Sequence, residues 1–352
     1  LRGEIDIDPG LLHRFVQVAQ GSFGYQGERD SARVAAAVQR ISDFYLAKPD
    51  GKTPYDLPDA PLGYLLYFTL LNHVRALCVF REAAHLGFLE GIDSVVDWGS
   101  GMGAGWLAAR QESPEALRAS VAFDRSEAAL RVQGALRGGS QPGHLLTRDH
   151  RLLLDFLRQQ SPARTLAMFC YSLTELDALP EWALGCEALC IIEPGTHQDG
   201  RRLLKIRQEL IDAGWKVWAP CTHLQPCPLL THSKSDWCHD RVEWRQPTFY
   251  QQVETHLPMR HKTLVHSWLL ARKTMLPPAA LALSARLTGD QQELKGQTRQ
   301  MICRGPDREF LSWQHRHGDV PDFRRGELVR LSGVPVKKGN DLRVVTGDVE
   351  RF

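Results

Sequence analysis

Apolar side chains recur every three or four residues in LLHRFVQVAQ and SARVAAAVQRISDFYLA, and LGYLLYFTLLNHVRALCVFREAAHLGFL continues the pattern, so residues 1–90 read as helical. The Pro-, Gly- and Asp-rich piece KPDGKTPYDLPDAPLG (48–63) is expected to be a loop between helices. The longest apolar run, 62–80, is broken by Asn72, His73 and Arg75. It predicts a buried helix rather than a membrane span, which needs about 20 unbroken apolar residues.

From residue 92 the period changes. Short apolar runs at 94–99, 118–124, 144–149, 165–172, 188–195 and 216–220 predict strands, and 262–273 predicts a longer seventh. Helical patterns separate the early runs: GAGWLAARQ, RSEAALRVQGAL, LLLDFLRQQ and QDGRRLLKIRQELIDAGW. Alternation of this kind implies a parallel sheet covered by helices, with a ligand crevice at the carboxyl ends of the strands. The tail at 324–348 alternates apolar residues with Gly/Asn/Asp turns and predicts a small antiparallel β unit.

Directly after the first strand comes DWGSGMGAG (97–105). Glycines there let the backbone turn tightly and approach a ligand, at a helix start with free N–H groups. NAD fingerprints read G-x-G-x-x-G; here Ala104 stands at the third glycine of that frame, and an acid, Asp97, precedes the first. The D/E-x-G-x-G-x-G form resembles motif I of class I S-adenosylmethionine (SAM) methyltransferases. Asp124 ends the second strand, where a carboxylate can take both ribose hydroxyls, although NAD enzymes carry one there too. The antiparallel-looking final strand pair favours SAM over NAD and over a site that no longer binds nucleotide. The candidate cofactor residues are Asp97, Gly99, Ser100, Gly101, Gly103 and Asp124.

The expected fold is therefore α/β: a class I methyltransferase, Rossmann-like, seven-stranded sheet with a helical N-terminal extension, a cysteine-rich insert and a small β tail. The corresponding ranges are 1–90, 91–275 with the insert at 220–260, and 276–352. No catalytic residue is assigned. FCYSLTEL follows strand four without the proline pair of amino-methylating nucleic-acid enzymes, and Cys170 is read as a packing residue.

Composition adds three points. The first ten residues lack the charged-then-apolar layout of a signal peptide, so a cytoplasmic compartment with reduced thiols is expected. Residues 1–200 carry 18 basic against 25 acidic side chains, and residues 201–352 carry 25 against 16. That basic half suits a polyanion such as RNA, with Arg324, Arg325, Arg330, Lys337 and Lys338 as candidate phosphate contacts. Third, Cys221, Cys227 and Cys238 cluster in the insert between strands six and seven. In a reducing compartment such a cluster points to metal rather than to disulfides.

The spacing C-x5-C-x10-C fits zinc poorly and lacks the tight C-x3-C-x2-C of radical SAM enzymes. Four thiolates gathered from longer spacings can hold an iron–sulfur cluster. Cys303 is the chosen fourth ligand, while Cys78, Cys170, Cys186 and Cys190 read as core or near-core residues. His223, His232 and His239 are the substitutes if the metal is zinc.

DWGSGMGAG, YSLTEL, IIEPGT with its basic helix, the APC/CPL pair, DWCH and the later single cysteine occur in that order. Together they resemble the mitoribosomal small-subunit methyltransferase-like assembly factors and their bacterial relatives, from about residue 62 to about residue 330. The resemblance implies a methyltransferase fold, bound SAM, a [4Fe–4S] cluster on Cys221, Cys227, Cys238 and Cys303, and association with the small ribosomal subunit and its rRNA. A monomer without membrane attachment is the expected state. Three readings compete: a SAM-binding protein acting on the small subunit or its rRNA, a non-catalytic assembly factor of the same fold, and a small-molecule methyltransferase with a zinc-stabilised lid.

Overall fold

The computed structural model describes residues 3–47, 54–114, 117–139 and 141–352. Its N-terminal part is helical. α1 (Pro9–Phe23) starts where Asp8 accepts the Leu11 N–H at 2.8 Å, with Pro9 at the first position, and stops at Gly24, left-handed at φ 62°. α2 (Ser31–Ala47) follows. The loop expected at 48–63 is shorter than that: residues 48–53 lie outside the described residues, but α3 (Ala60–Gly63) is already helical. It runs through a π turn, Tyr64–Phe68, into α4 (Thr69–His85). By length and composition Ala60–His85 could cross a membrane, yet 78% of its most apolar window is buried inside the protein. It is the central helix of the core.

The expected alternation of strand and helix is present. β1 (Ser94–Trp98) leads through α5 (Ala104–Glu112) to β2 (Ala119–Phe123), and α6 (Glu127–Arg137) leads on to β3 (His144–Thr147). After α7 (His150–Gln159) come β4 (Thr165–Cys170), a short α8 (Glu181–Gly185), β5 (Ala188–Pro194), α9 (His197–Asp212) and β6 (Lys216–Ala219). The insert then forms α10 (Pro228–His232), β7 (Asp240–Glu243) and α11 (Thr248–Thr255), before β8 (Thr263–Arg272) closes the sheet.

The strand order is β3-β2-β1-β4-β5-β8-β6, parallel as far as β5 and antiparallel at β8. That order and that single reversed strand are the class I methyltransferase topology. The sheet has eight strands rather than seven. The first half of β8 pairs with β7 and the second half with β6, so the insert supplies its own piece of edge. Ile5 extends that edge further, bridging Trp244.

The β tail is larger than expected. It begins at Ser284 and forms a second eight-stranded sheet, ordered β14-β15-β12-β11-β9-β13-β16, with β10 on β11. The strands are β9 (Ser284–Leu287), β10 (Gln292–Leu294), β11 (Gln297–Cys303), β12 (Glu309–Gln314), β13 (Leu328–Leu331), β14 (Val336–Lys338), β15 (Asp341–Val344) and β16 (Val349–Arg351). One pair, β12 with β15, is parallel. β11 escapes a hydrophobic-pattern reading because its inward residues are Thr298, Gln300 and Ile302. The Gln300 amide is buried only because it donates to the carbonyls of Gly289 and Phe323.

Two buried arginines join these parts. Arg272 on β8 pairs with Glu187 at 3.1 Å and donates to the Phe88 and Glu90 carbonyls, fixing the chain after α4. Arg286 on β9 pairs with Glu82 of α4 and donates to the carbonyls of Pro220 and Gly326. Removing one partner of such a pair leaves a charge buried in a low-dielectric interior. Arg286→Ala is therefore expected to cost about 3–5 kcal/mol in urea unfolding. Adding Glu82→Ala should cost less than the sum of the two single changes, because the carboxylate is no longer left unpaired. Additive single and double variants would show that the pair is not a coupled contact.

Candidate cofactor and metal site

The glycine loop joins β1 to α5. Gly99, Gly101 and Gly103 all have left-handed φ, at 61°, 53° and 85°. A Cβ on Gly99 would lie 2.4 Å from the Ser172 Cβ, and one on Gly103 would lie 2.6 Å from Gln133 Nε2. Side chains are thus excluded by both conformation and space. The loop is tied down by the Gly101 N–H to Asp124 Oδ2 at 2.8 Å, by the Ser100 N–H to the Phe123 carbonyl at 3.0 Å, and by Ser100 Oγ to Gln133 at 3.1 Å. Asp124 also accepts the Ser126 N–H at 2.7 Å. All six predicted cofactor residues therefore meet at the carboxyl ends of β1 and β2. Asp124 serves first as the lock between the loop and β2, and each of its oxygens keeps a second lone pair.

Asp97 is 1% exposed, and neither carboxylate oxygen has a hydrogen-bond partner. Burial raises its pKa to about 7, opposed by Arg137 and aided by Asp124. A second buried acid stands nearby. Glu193, at the end of β5, accepts the Leu173 N–H at 2.8 Å through Oε1, while Oε2 has no partner. Burial raises it to about 8. Between them, at the end of β4, Tyr171 holds a left-handed φ of 60° and its buried hydroxyl is also unpartnered. Cys170 is half-buried there, its thiol pushed far up by burial and by the neighbouring acids, so it is no ready nucleophile. Orphaned buried acceptors beside a left-handed glycine cradle suit a ligand that carries an amino group and a sugar. Tyr55 of the N-terminal part borders the same loop, its hydroxyl 3.1 Å from where a Gly101 Cβ would stand.

Cys221, Cys227 and Cys238 lie along the buried face of α9, from Gly200 to Arg207. This helix starts at Thr196, whose hydroxyl caps the Asp199 N–H, and buries Gly200, Leu203, Leu204 and Leu210. Arg207 lies on the same stripe and is only 1% exposed. Its Nε donates to the Cys221 sulfur at 3.1 Å, and its Nη2 donates to the His223 and Gln225 carbonyls at 2.7 and 3.1 Å. Its Nη1 is buried without a partner. Two neighbouring arginines act in the same way. Arg201 takes the carbonyls of Leu229, Ser233 and Asp236, and Arg202 takes those of Leu173 and Leu176.

Cys303, ending β11, comes to the insert: His223 Nε2 lies 3.3 Å from its sulfur, and the Thr222 hydroxyl donates to its carbonyl at 3.5 Å. Burial raises the Cys303 thiol, and Cys221 and Cys227 raise it further. Cys238 is raised by burial, then by Cys221, Asp240, Cys227 and Cys303. Cys221 is thus in contact with Arg207, and Cys303 with His223. A cavity of about 10 Å³ lies beside Arg207, Cys221, Cys238 and Trp268. Among the described residues no group of three or more His, Cys, Asp or Glu side chains is close enough to hold a single metal ion. The insert cysteines and Cys303 are therefore not drawn together at one metal-binding point. His232 is exposed on the end of α10, and the ring of His239 stacks on Trp237.

The candidate RNA cations are mostly engaged. Arg324 pairs with Glu243, Arg325 with Asp290, and Lys337 with Asp307 and Glu309, while Arg330 covers the Phe352 ring.

Residues 90–320 match the family described as mitochondrial small ribosomal subunit Rsm22. The chain belongs to the Rsm22 family. The matched range takes in the glycine loop, the insert cysteines and Cys303. A human relative, the mitochondrial ribosome assembly protein METTL17, is 29% identical over 163 residues, 40% of this chain and 34% of that protein. The match thus spans about a third of the length of that relative. Among solved structures, the plantazolicin methyltransferase BpumL in complex with a triazolic desmethylPZN analog and SAH has a TM-score of 0.34 at 12% identity, over 70% of this chain and 99% of that one. The YcgJ protein of Bacillus subtilis has a TM-score of 0.31 at 10% identity, over 57% and 98%. The methyltransferase-like fold of this Rsm22-family chain rests on its strand order, not on these overlaps.

The two orphaned acids set a pH dependence. Their folded-state values lie above the ordinary carboxylate range, so the native protein keeps protons that the unfolded chain releases above about pH 4. Stability of the ligand-free protein is expected to fall as pH rises from about 4 through the folded-state values of about 7 and about 8, and to level off beyond them. Asp97→Asn should be more stable than the parent at pH 8, with the gap closing toward pH 4. Urea midpoints across that range measure this, and parallel curves for the two proteins would refute it.

Proposed function

We propose that this protein binds SAM at the glycine loop, carries a structural [4Fe–4S] cluster on Cys221, Cys227, Cys238 and Cys303, and acts on the small ribosomal subunit or its rRNA during assembly. The observation that carries the reading is the approach of Cys303 to His223 of the insert, beside Cys221 on Arg207, with 64 residues of chain lying between Cys238 and Cys303. A cubane cluster would take one thiolate at each of four iron corners. The ribosomal part rests on the Rsm22 family and on the assembly role named for the human relative.

At the other site Asp97 would receive the amino group of SAM, the glycine loop its carboxylate end, and Asp124 the ribose. When bound, SAM supplies an electrophilic methyl group. Assembly without methyl transfer is favoured by the end of β4. No proline pair follows it, and Ser172 spends its hydroxyl on the Trp98 carbonyl at 2.6 Å.

Anaerobic purification should yield a brown protein with about four irons and four acid-labile sulfides per chain. Cys303→Ser should lose most of both. Colourless protein with stoichiometric zinc and no iron would refute the cluster. Calorimetry should detect SAM binding, weakened at least about tenfold by Asp124→Ala, as befits a lost hydrogen bond to a charged group. Labelled SAM incubated with small-subunit precursors separates the two readings. Label in RNA that vanishes in Asp124→Ala requires catalysis, and SAM binding without transfer leaves assembly alone.

A further inference from the structure

The second sheet turns one face to its own core, with Leu311, Trp313, Leu342 and Val344, and leaves much of the other open. Residues directly opposite one another in neighbouring strands share a face. Gln292, Arg299, Ser312, Arg343 and Val336 therefore form one row across β10, β11, β12, β15 and β14. At the ordinary strand spacing that row is about 19 Å wide. Leu294, Gln297 and Gln314 form the row beside it. Met301 closes the far end of this face against the insert, and Arg299 and Arg308 cover the Phe310 ring at 4.0 and 4.9 Å from its centre.

What stays open is polar and positive. Arg343 and Lys338 stand exposed on the face, with Lys295 in the β10–β11 turn. Arg316 lies just beyond β12, where the His315 N–H reaches the Gly296 carbonyl at 3.1 Å. Among the described residues none of these four cations pairs with a carboxylate, and Arg316 donates to His317 instead. Asp341, the acid of this face, is matched by Arg299 at 2.6 Å. Lys337 points to the other face of β14 and is spent on Asp307 and Glu309. Between the cations lies a fixed pair of amides. Gln297 Oε1 accepts from Ser312 Oγ at 3.1 Å and from Gln314 Nε2 at 2.7 Å, while Gln314 Nε2 also donates to Ser312 Oγ at 3.1 Å. These bonds orient both amides and leave the Gln297 Nε2 donors and the Gln314 Oε1 acceptor for a ligand. Apolar exposure sits at the two margins, on Leu294 of β10 and Val336 of β14, 43% and 68% exposed. A protein interface has the reverse plan, with charge depleted at its centre.

We propose that this face of the second sheet binds single-stranded RNA, with Arg343, Lys338, Lys295 and Arg316 meeting phosphates and Gln297 and Gln314 reading base edges. The proposal deepens the rRNA reading above and rests on it. Unpaired bases expose the edges that pairing hides, whereas the narrow major groove of an A-form duplex shuts side chains out. A duplex would meet only the cations.

The test titrates the full chain with labelled adenine, cytosine and uracil homopolymers of about 12 nucleotides, and with a duplex of the same length, between about 50 and 200 mM salt. Wild type is expected to bind the single strands more tightly than the duplex and to discriminate among the three. Arg343→Ala combined with Lys338→Ala should weaken all three at least about tenfold and flatten the slope of log K against log salt by about 1.4, the share of two phosphate contacts. Gln297→Ala combined with Gln314→Ala should keep the slope and bring the three affinities together. Arg343 and Lys338 are exposed, so their double variant keeps the parent's urea midpoint and still decides if the glutamine variant does not fold. Parental affinity and slope in the Arg343 and Lys338 variant overturn the proposal. Tighter binding of the duplex does so too, as does binding of polyglutamate but not RNA. Unchanged discrimination in the glutamine variant overturns the base-reading role. Co-sedimentation with isolated small ribosomal subunits runs alongside. A wild type that co-sediments but binds no RNA refutes this surface and leaves the ribosomal reading standing, and one that does neither fails at the ribosomal reading itself.

Discussion

A guanidinium buried away from any carboxylate has to be met by backbone and sulfur, and Arg207 imposes that requirement on everything around it. Leaving such a charge unsolvated would cost more than most single contacts return. The chain meets the demand by folding 221–225 back over α9, so that two carbonyls and one sulfur face the guanidinium. Arg201 does the same for the segment 229–236, and Arg202 for the loop after β4. A long, proline-punctuated insert with little apolar content is thereby ordered by the polar groups of one helix. Most of the basic character of α9 is spent inside the protein, and of its lysine and arginine side chains only Lys205 is exposed.

The same economy governs the junction of the two sheets. Arg286 belongs to β9, yet its four hydrogen bonds reach α4, the turn before Cys221 and the turn before β13. Cys303 is carried by β11, which pairs with β9 through Ile302 and Cys303 themselves. The position of the fourth thiol is therefore set by a ladder whose neighbouring strand is bolted to the central helix. A metal centre at the four sulfurs would add to a junction the protein has already made, rather than create one.

Much of this was legible in the residues. The strand–helix alternation and the left-handed glycines follow from local patterns. The second sheet was not legible beyond its last third, because β11 turns Thr298 and Gln300 inward and so breaks the alternation on which strand reading depends. β7 was missed for a related reason: four residues, DRVE, offer one apolar side chain. Basic residues in the tail suggested RNA contacts, but charge in a sequence says nothing of the partner, and Arg324, Arg325 and Lys337 found carboxylates. Arg207 did carry a signal. A cation at the i+3 and i+4 position of an apolar stripe, after Leu204 and Leu203, is a misfit on a surface helix and marks a buried polar site.

The cofactor end carries the opposite imbalance. Asp97 has no hydrogen-bond partner and Glu193 has one on a single oxygen, and burial raises both so that a share of each is protonated at neutral pH. A fold gains nothing from two such acids, since apolar side chains of similar size would pack there at lower cost. Their burial makes sense where a ligand's own donors complete them. Glu193 also leads directly, through Pro194 and Thr196, into α9. The helix that begins at the orphaned acid is the one whose Arg202 holds the loop after β4 and whose Arg207 holds Cys221. One helix thus starts beside Glu193 and, through Arg202 and Arg207, holds both the loop after β4 and Cys221.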